Sequence, residues 1–154
     1  MEALTVQAAE NQLKALADQL IEKLRAQHAP VLHRVPEAEI TLRPGERYAG
    51  LVLDADGKVM HHLVLMAERP AGDLDWADAM AWAASVGGTL PNRQEHALLF
   101  ANCKPHLKPV WHWSCQEYEE NASGAWHCAF YYGDQDTTRK SAEGAAVAVR
   151  RVNA

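Results

Sequence analysis

Residues 75–95 read DWADAMAWAASVGGTLPNRQE, and two helix signals stand back to back in this stretch. Asp75 is a residue type that caps a helix N-terminus, and Trp76, Met80, Ala83 and Val86 follow at the spacing of one apolar helical face. Gly87 and Gly88 stop that helix, since glycine accepts the backbone geometry of a helix end. Leu90 and Pro91 then lead to Asn92, with Glu95 three residues later. That pair is a capping-box arrangement, in which each side chain satisfies the other's free backbone N–H. The second helix carries Leu98, Leu99 and Phe100, and Pro105 closes it. Two short helices joined by a tight link are therefore expected.

Upstream, Tyr48 to Leu53 and Val59 to Ala67 are apolar runs separated by Asp54-Ala55-Asp56-Gly57, a strong hairpin signal because glycine accepts the positive φ of the turn. In the second run His61, Leu63 and Leu65 share one face, and His62, Val64 and Met66 the other. Downstream of Pro109 the period changes: Val110 to Cys115 and Ala125 to Tyr132 read as strands, with a polar loop between them. A second polar loop, Gly133 to Gly144, precedes a final strand in which Val147 and Val149 face alike. At the other end, residues 5 to about 28 are rich in Ala, Leu, Gln, Glu and Lys without Gly or Pro, and predict a helix. Val6, Leu13, Ala17, Leu20 and Leu24 fall at alternating three- and four-residue steps, interrupted by Glu10 and widened by Leu16 and Ile21. Such a stripe predicts either docking on its own domain or self-association through Leu13, Leu16, Leu20 and Leu24. The expected organisation is an N-terminal helix over residues 1–30 and an α+β domain over 31–154.

Six landmarks in this order carry a family resemblance. They are Asp75-Trp76-Ala77-Asp78-Ala79 opening a helix, Gly87-Gly88 with Leu90-Pro91 and Glu95, Trp113-Ser114-Cys115, Ala125-Trp126, Tyr132-Gly133, and the closing Val149-Arg150-Arg151-Val152. From about residue 45 to 152 the chain resembles the C-type-lectin-like fold, and more narrowly the Lcl-type C-terminal domains of bacterial and phage proteins. Thr89 stands where that family has Trp-Arg before Leu-Pro. The resemblance implies twisted antiparallel sheets with two helices, and a phage- or prophage-encoded protein. It leaves the N-terminal helix unexplained.

The 154 residues are 48% hydrophobic and 23% charged, with a formal net charge of -5, which is ordinary globular composition. That balance lacks the basic surface that nucleic-acid binding needs. Met1-Glu2-Ala3 runs into a polar helix without a charged start and apolar block, so no signal peptide is expected. No run has the length of a membrane span. A cytoplasmic protein is expected, with association with a virion left open. Its three cysteines, Cys103, Cys115 and Cys128, are expected to be free thiols rather than a disulfide framework.

Calcium-dependent sugar binding is the best-known activity of the resembled fold, and its Glu-Pro-Asn and Trp-Asn-Asp triplets are missing here. Glu117, Glu119, Glu120 and Asn121 in one loop and Asp134 and Asp136 in the next read as solvated charge rather than a calcium site. Zinc needs four converging N or S ligands. His112 with Cys115, and His127 with Cys128, point to opposite strand faces, and Cys103 and His106 complete no zinc pattern. No metal and no cofactor is expected. Among the aromatics, Trp76, Trp82, Trp111, Trp113, Trp126, Phe130 and Tyr132 largely fall at core-facing positions, while Tyr118 and Tyr131 fall in loops or on the opposite face, where Trp111 is a further candidate.

The function expected is therefore non-enzymatic recognition of a protein or small ligand through loops 116–124 and 133–144. Trp111, Glu117, Tyr118, Tyr131, Asp134, Asp136, Arg139 and Lys140 are the candidate contacts. Neither nucleic acid nor membrane is an expected partner, and the N-terminal helix is expected to tether or oligomerise the domain. Two rivals stand beside this reading. One is a small metal- or thiol-dependent enzyme, related to formylglycine-generating folds, using Cys115, Cys128 and nearby histidines. The other is a calcium-independent glycan binder in which Trp111 or Tyr131 stacks on a sugar.

Overall fold

The computed structural model describes residues 5–154, so the opening Met1-Glu2-Ala3 lies outside the described residues. Two compact units divide the chain, residues 1–35 and 36–154. In the first, helix α1 spans Val6–His28. Thr5 caps it by accepting a hydrogen bond from Ala8 N at 3.0 Å, and Ala29, in extended backbone, ends it ahead of Pro30. None of its described side chains is buried; Leu13, Leu16, Leu20 and Leu24 are 68, 63, 58 and 45% exposed.

The second unit is α+β, built on two small antiparallel sheets. Strands β1 (Arg47–Leu53) and β2 (Val59–Leu65) form the expected hairpin, and the Asp54 carboxylate closes its turn by accepting from Asp56 N and Lys58 N. Helix α2 runs Trp76–Ser85 with Asp75 as its cap, and α3 runs Arg93–Cys103 behind the complete Asn92–Glu95 capping box. A single 3-10 turn, Lys104–His106, follows with Pro105 inside it. Strands β3 (Trp111–Glu117), β4 (Gly124–Ala129) and β5 (Gln135–Arg139) make the second sheet. Strand β6 (Val149–Asn153) returns to the first sheet beside β2, giving the order β1-β2-β6.

Central position in its sheet buries β2 on both faces, from His61 to Leu65. One cluster gathers Leu63, Leu65, Leu99, Cys103, Cys128, Phe130, Val147 and Val149. The other gathers Met66, Ala79, Ala83, Leu90, Trp113, Ala125 and Ala148, with Trp76, Trp82 and Trp111 packed against it. Trp113 and Phe130 are fully enclosed, so truncating either to alanine costs on the order of 3–5 kcal/mol. The glycine pair has a packing reason: a Cβ on Gly88 would meet Met66 Sδ and the Val149 carbonyl. Only glycine lets the α2–α3 link lie this close to β6, where Thr89 and Val149 exchange backbone hydrogen bonds.

Two expectations are corrected. The polar loop expected over Gly133 to Gly144 contains β5, whose sequence Gln-Asp-Thr-Thr-Arg lacks an apolar alternation because it is an edge strand. The strand expected through Tyr132 ends at Ala129, where Gly133 N bonds back to Ala129 O at 2.8 Å. Tyr132, expected to face the core, is therefore thrown outward and is 84% exposed.

Glu95 is fully buried yet ionised. Burial alone would raise its pKa, but hydrogen bonds from Arg151, from Asn92 N and from His61 outweigh that and hold it below the usual carboxylate value. His96 is also fully buried; its Nε2–H donates to Trp113 O at 3.0 Å, and burial drops its pKa to about 4, as it does for His112. The unfolded chain takes up these two protons near pH 6.5, whereas the folded chain does so only near pH 4. Stability therefore falls as pH drops through that window, by up to about 3 kcal/mol per histidine. The contribution of Glu95 is present above its unfolded pKa and is lost at still lower pH. The melting temperature followed by circular dichroism from neutral pH downward should fall already between pH 6.5 and 5, and His96→Gln should flatten that part of the curve. A melting temperature constant over this range would show that the histidines are not held neutral.

Candidate functional site

The loop residues expected to form one face are divided between the two ends of β4. At one end, loop 116–124 closes the β3–β4 hairpin, and Gly124 pairs with Arg139. Lys140 N donates to Ser123 O at 2.8 Å, and Lys140 Nζ pairs with Glu117 at 2.8 Å while lying 4.5 Å from the centre of the Trp76 ring. This end therefore gathers Glu117, Tyr118, Arg139 and Lys140. Tyr118 donates to Glu120 at 2.7 Å, which raises its hydroxyl pKa, and its ring stands edge-on to Trp126 at 5.7 Å. Trp126 Nε1 donates to Glu119 at 3.0 Å, and the Arg93 guanidinium lies 3.5 Å over the indole. Arg93 is fixed in turn by Gln135, which accepts from its Nε and donates to its backbone carbonyl. These contacts order the surface without leaving loose carboxylates: Glu117, Glu119, Glu120 and Asp136 each accept from a separate neighbour.

At the other end lies the Ala129–Asp134 turn, about 17 Å away along β4 at roughly 3.3 Å per residue. It carries Tyr131 and Asp134, and Asp136 sits between the two ends, opposite His127. Tyr131 is 61% exposed, and its ring centre lies 5.8 Å from that of Tyr132. Gly133 holds the turn at φ +79°, and a Cβ there would lie 2.8 Å from the Phe100 ring. Lys104 Nζ donates to Tyr131 O at 3.2 Å across the same ring. Two large aromatic side chains are thus displayed on a turn seated on α3. Tyr132 was not among the sequence candidates, because the alternation of the preceding strand was continued through it.

Trp111 is only partly buried, but its ring is engaged in packing. It lies against Gly144, where any Cβ would collide with the indole, and it contacts Trp113 edge-on and His127 at a tilt, both at 4.9 Å. That leaves Tyr131, not Trp111, free to stack on a ligand. All three cysteines are free thiols, and burial raises the pKa of each, that of Cys128 to about 11. His112 and Cys128 are cross-strand partners, while His127 pairs with Trp113, so the two histidines take opposite faces. Among the described residues no group of three or more His, Cys, Asp or Glu is placed to hold a metal ion. No described helix is long and apolar enough to cross a membrane.

A feature absent from the sequence reading is a cavity of about 210 Å³ lined by Arg69, Asp73, His106, Lys108 and His112, with Ala145 and Ala146 at its wall. Its residues come from the segment after β2, from the 3-10 turn and beyond, and from β3. No local spacing links them, and only the fold assembles them.

Comparison with models of known protein families gives no match, and comparison with curated proteins finds no relative. At neutral pH the native chain should resist iodoacetamide at Cys103 and Cys128, with all three thiols alkylated after unfolding in guanidinium. Peptide mapping by mass spectrometry reads this directly, and rapid native labelling of Cys128 would reveal an activated thiol instead.

Proposed function

We propose that the chain is a non-enzymatic recognition domain of the C-type-lectin-like type, carried by a self-associating helix. The observation that carries the recognition reading is the exposed Tyr131–Tyr132 pair on a turn that Gly133 seats against Phe100. Tyrosines supply large amphipathic contact area with little side-chain entropy to lose, which is why they concentrate at binding surfaces. The ordered surface around Trp126, Arg93 and Lys140 provides a second, more polar contact area. The raised thiol pKa values favour binding over cysteine nucleophilic chemistry.

The lectin-like reading draws support from where its landmark residues fall. Asp75-Trp76 opens α2, Gly88 meets β6, Leu90-Pro91 leads into the α3 capping box, and Trp113 and Ala125 lie in one core cluster. The same resemblance suggests a phage or prophage setting, inside the cell or on a virion. The test is display of the chain, with and without Tyr131→Ser and Tyr132→Ser, to host-cell protein extract and to a glycan array. A protein or sugar retained by the parent and lost by the variant at unchanged melting temperature is the expected result. Identical retention profiles would overturn the assignment of this turn.

Self-association rests on α1. In a heptad frame Val6, Leu13 and Leu20 take d positions, and Ala17 and Leu24 take a positions, all exposed. Joining several domains this way multiplies a weak individual contact into avid binding. Light scattering should give a multiple of the 17.0 kDa chain mass, reduced to one chain by Leu13→Ser with Leu20→Ser. A monomeric parent protein would remove this part of the proposal.

A further inference from the structure

The cavity beside β3 holds an arrangement of donors and acceptors that selects a ligand chemistry. His112 is 2% exposed and lines it. Its Nδ1 lies 2.9 Å from Val110 O, and because a carbonyl can only accept, Nδ1 carries the hydrogen. Nε2 is then a bare lone pair. It has no hydrogen-bond partner among the described residues, and it is not one of the ring nitrogens both sealed from solvent and unpartnered, which are His62 Nε2, His96 Nδ1 and His127 Nδ1. Burial first, assisted by the charges of Arg69 and Lys108 and opposed by the Val110 carbonyl and the charge of Asp73, keeps the ring neutral. At neutral pH His112 therefore offers an acceptor and no free donor.

Two cations, Arg69 and Lys108, also line the wall. Arg69 is anchored through Nη1 to Met66 O and Glu68 O, at 2.6 and 2.8 Å. Its Nη2 has only a long 3.5 Å contact with His106 O, and Nε has none, so donors of a pre-positioned guanidinium remain available. Neither Arg69 nor Lys108 forms an ion pair among the described residues. Asp73 is the one acid in the lining. The volume is below the range of drug-sized sites and suits a small molecule.

We propose that this cavity binds a small oxyanion that retains a hydroxyl group, its charged oxygens on Arg69 and Lys108 and its O–H donated to Nε2 of His112. Monohydrogen phosphate and a short 2-hydroxycarboxylate share that chemistry. Sulfate and acetate carry the charge without the hydrogen, and either would set an oxygen lone pair against that of Nε2. Discrimination by a hydroxyl hydrogen is the signature that separates a built site from a patch of positive charge.

The test is calorimetric titration of the full chain at neutral pH and constant ionic strength, with inorganic phosphate, glycolate, sulfate and acetate as separate titrants. Phosphate or glycolate should bind at least about tenfold more tightly than sulfate and acetate, the size of one hydrogen bond to a charged or buried partner. The preferred member of the pair identifies the source as a phosphate or a hydroxy acid. Lys108→Gln, an exposed change that spares the core, should weaken that ligand about tenfold. His112→Gln should erase the preference over sulfate. Should that variant not fold, long-range proton–nitrogen NMR of the parent chain reads the tautomer directly. Equal binding of all four anions, binding of none, or a hydrogen found on Nε2 would overturn the proposal. These outcomes are read apart from the tyrosine turn, since neither Tyr131 nor Tyr132 lines the cavity.

Discussion

The buried carboxylate of Glu95 joins three parts of the domain that are distant in sequence. Through Oε1 it accepts from Asn92 N and caps α3; through both oxygens it grips Arg151 of β6; and Oε2 takes His61 Nε2 of β2 at 3.0 Å. A carboxylate this deep is tolerated only because its acceptor sites are filled, and removing one partner from such a group typically costs about 3–5 kcal/mol. Next to Arg151 in sequence, Arg150 points the other way and clasps Glu46, itself 6% exposed, at 2.8 Å. The strand's alternation sends two consecutive arginines to two buried acids on opposite faces. β6 is thereby fixed from both sides, and with it the edge of the sheet against which Gly88 and Thr89 are laid.

What could be read directly from the sequence is what local chemistry decides. The Asn92–Glu95 capping box, the Asp75 cap, the Asp-Gly hairpin and the N-terminal helix all depend on residues within a turn or two of one another, and all are present where expected. The capping box nevertheless hid the second role of Glu95, since nothing near it announces Arg151 or His61. β5 was illegible for a physical reason: an edge strand can be wholly polar, so no hydrophobic period marks it. Tyr132 was misread because alternation continues on paper beyond the point where the backbone turns.

The candidate site was legible only in part, and the division follows from the same strand. Glu117, Tyr118, Arg139 and Lys140 come together because the β3–β4 and β4–β5 pairings bring their loops to one end. Tyr131 and Asp134 belong to the opposite end, a separation that no reading of loop composition reveals. The anion-selecting cavity lies further still from sequence inference. Its acceptor depends on which nitrogen of His112 meets the Val110 carbonyl, a fact of backbone geometry rather than of residue type.

The order β1-β2-β6 has a consequence for how the domain comes into being during translation. β2 leaves the ribosome paired on one side only, with an apolar strand edge open to any other nascent chain. Its second partner follows every other element of the domain, so that edge does not meet β6, nor Glu95 Arg151, until the whole unit has emerged. Closure is then one late, long-range event, which makes folding slow for the domain's size and cooperative once it begins.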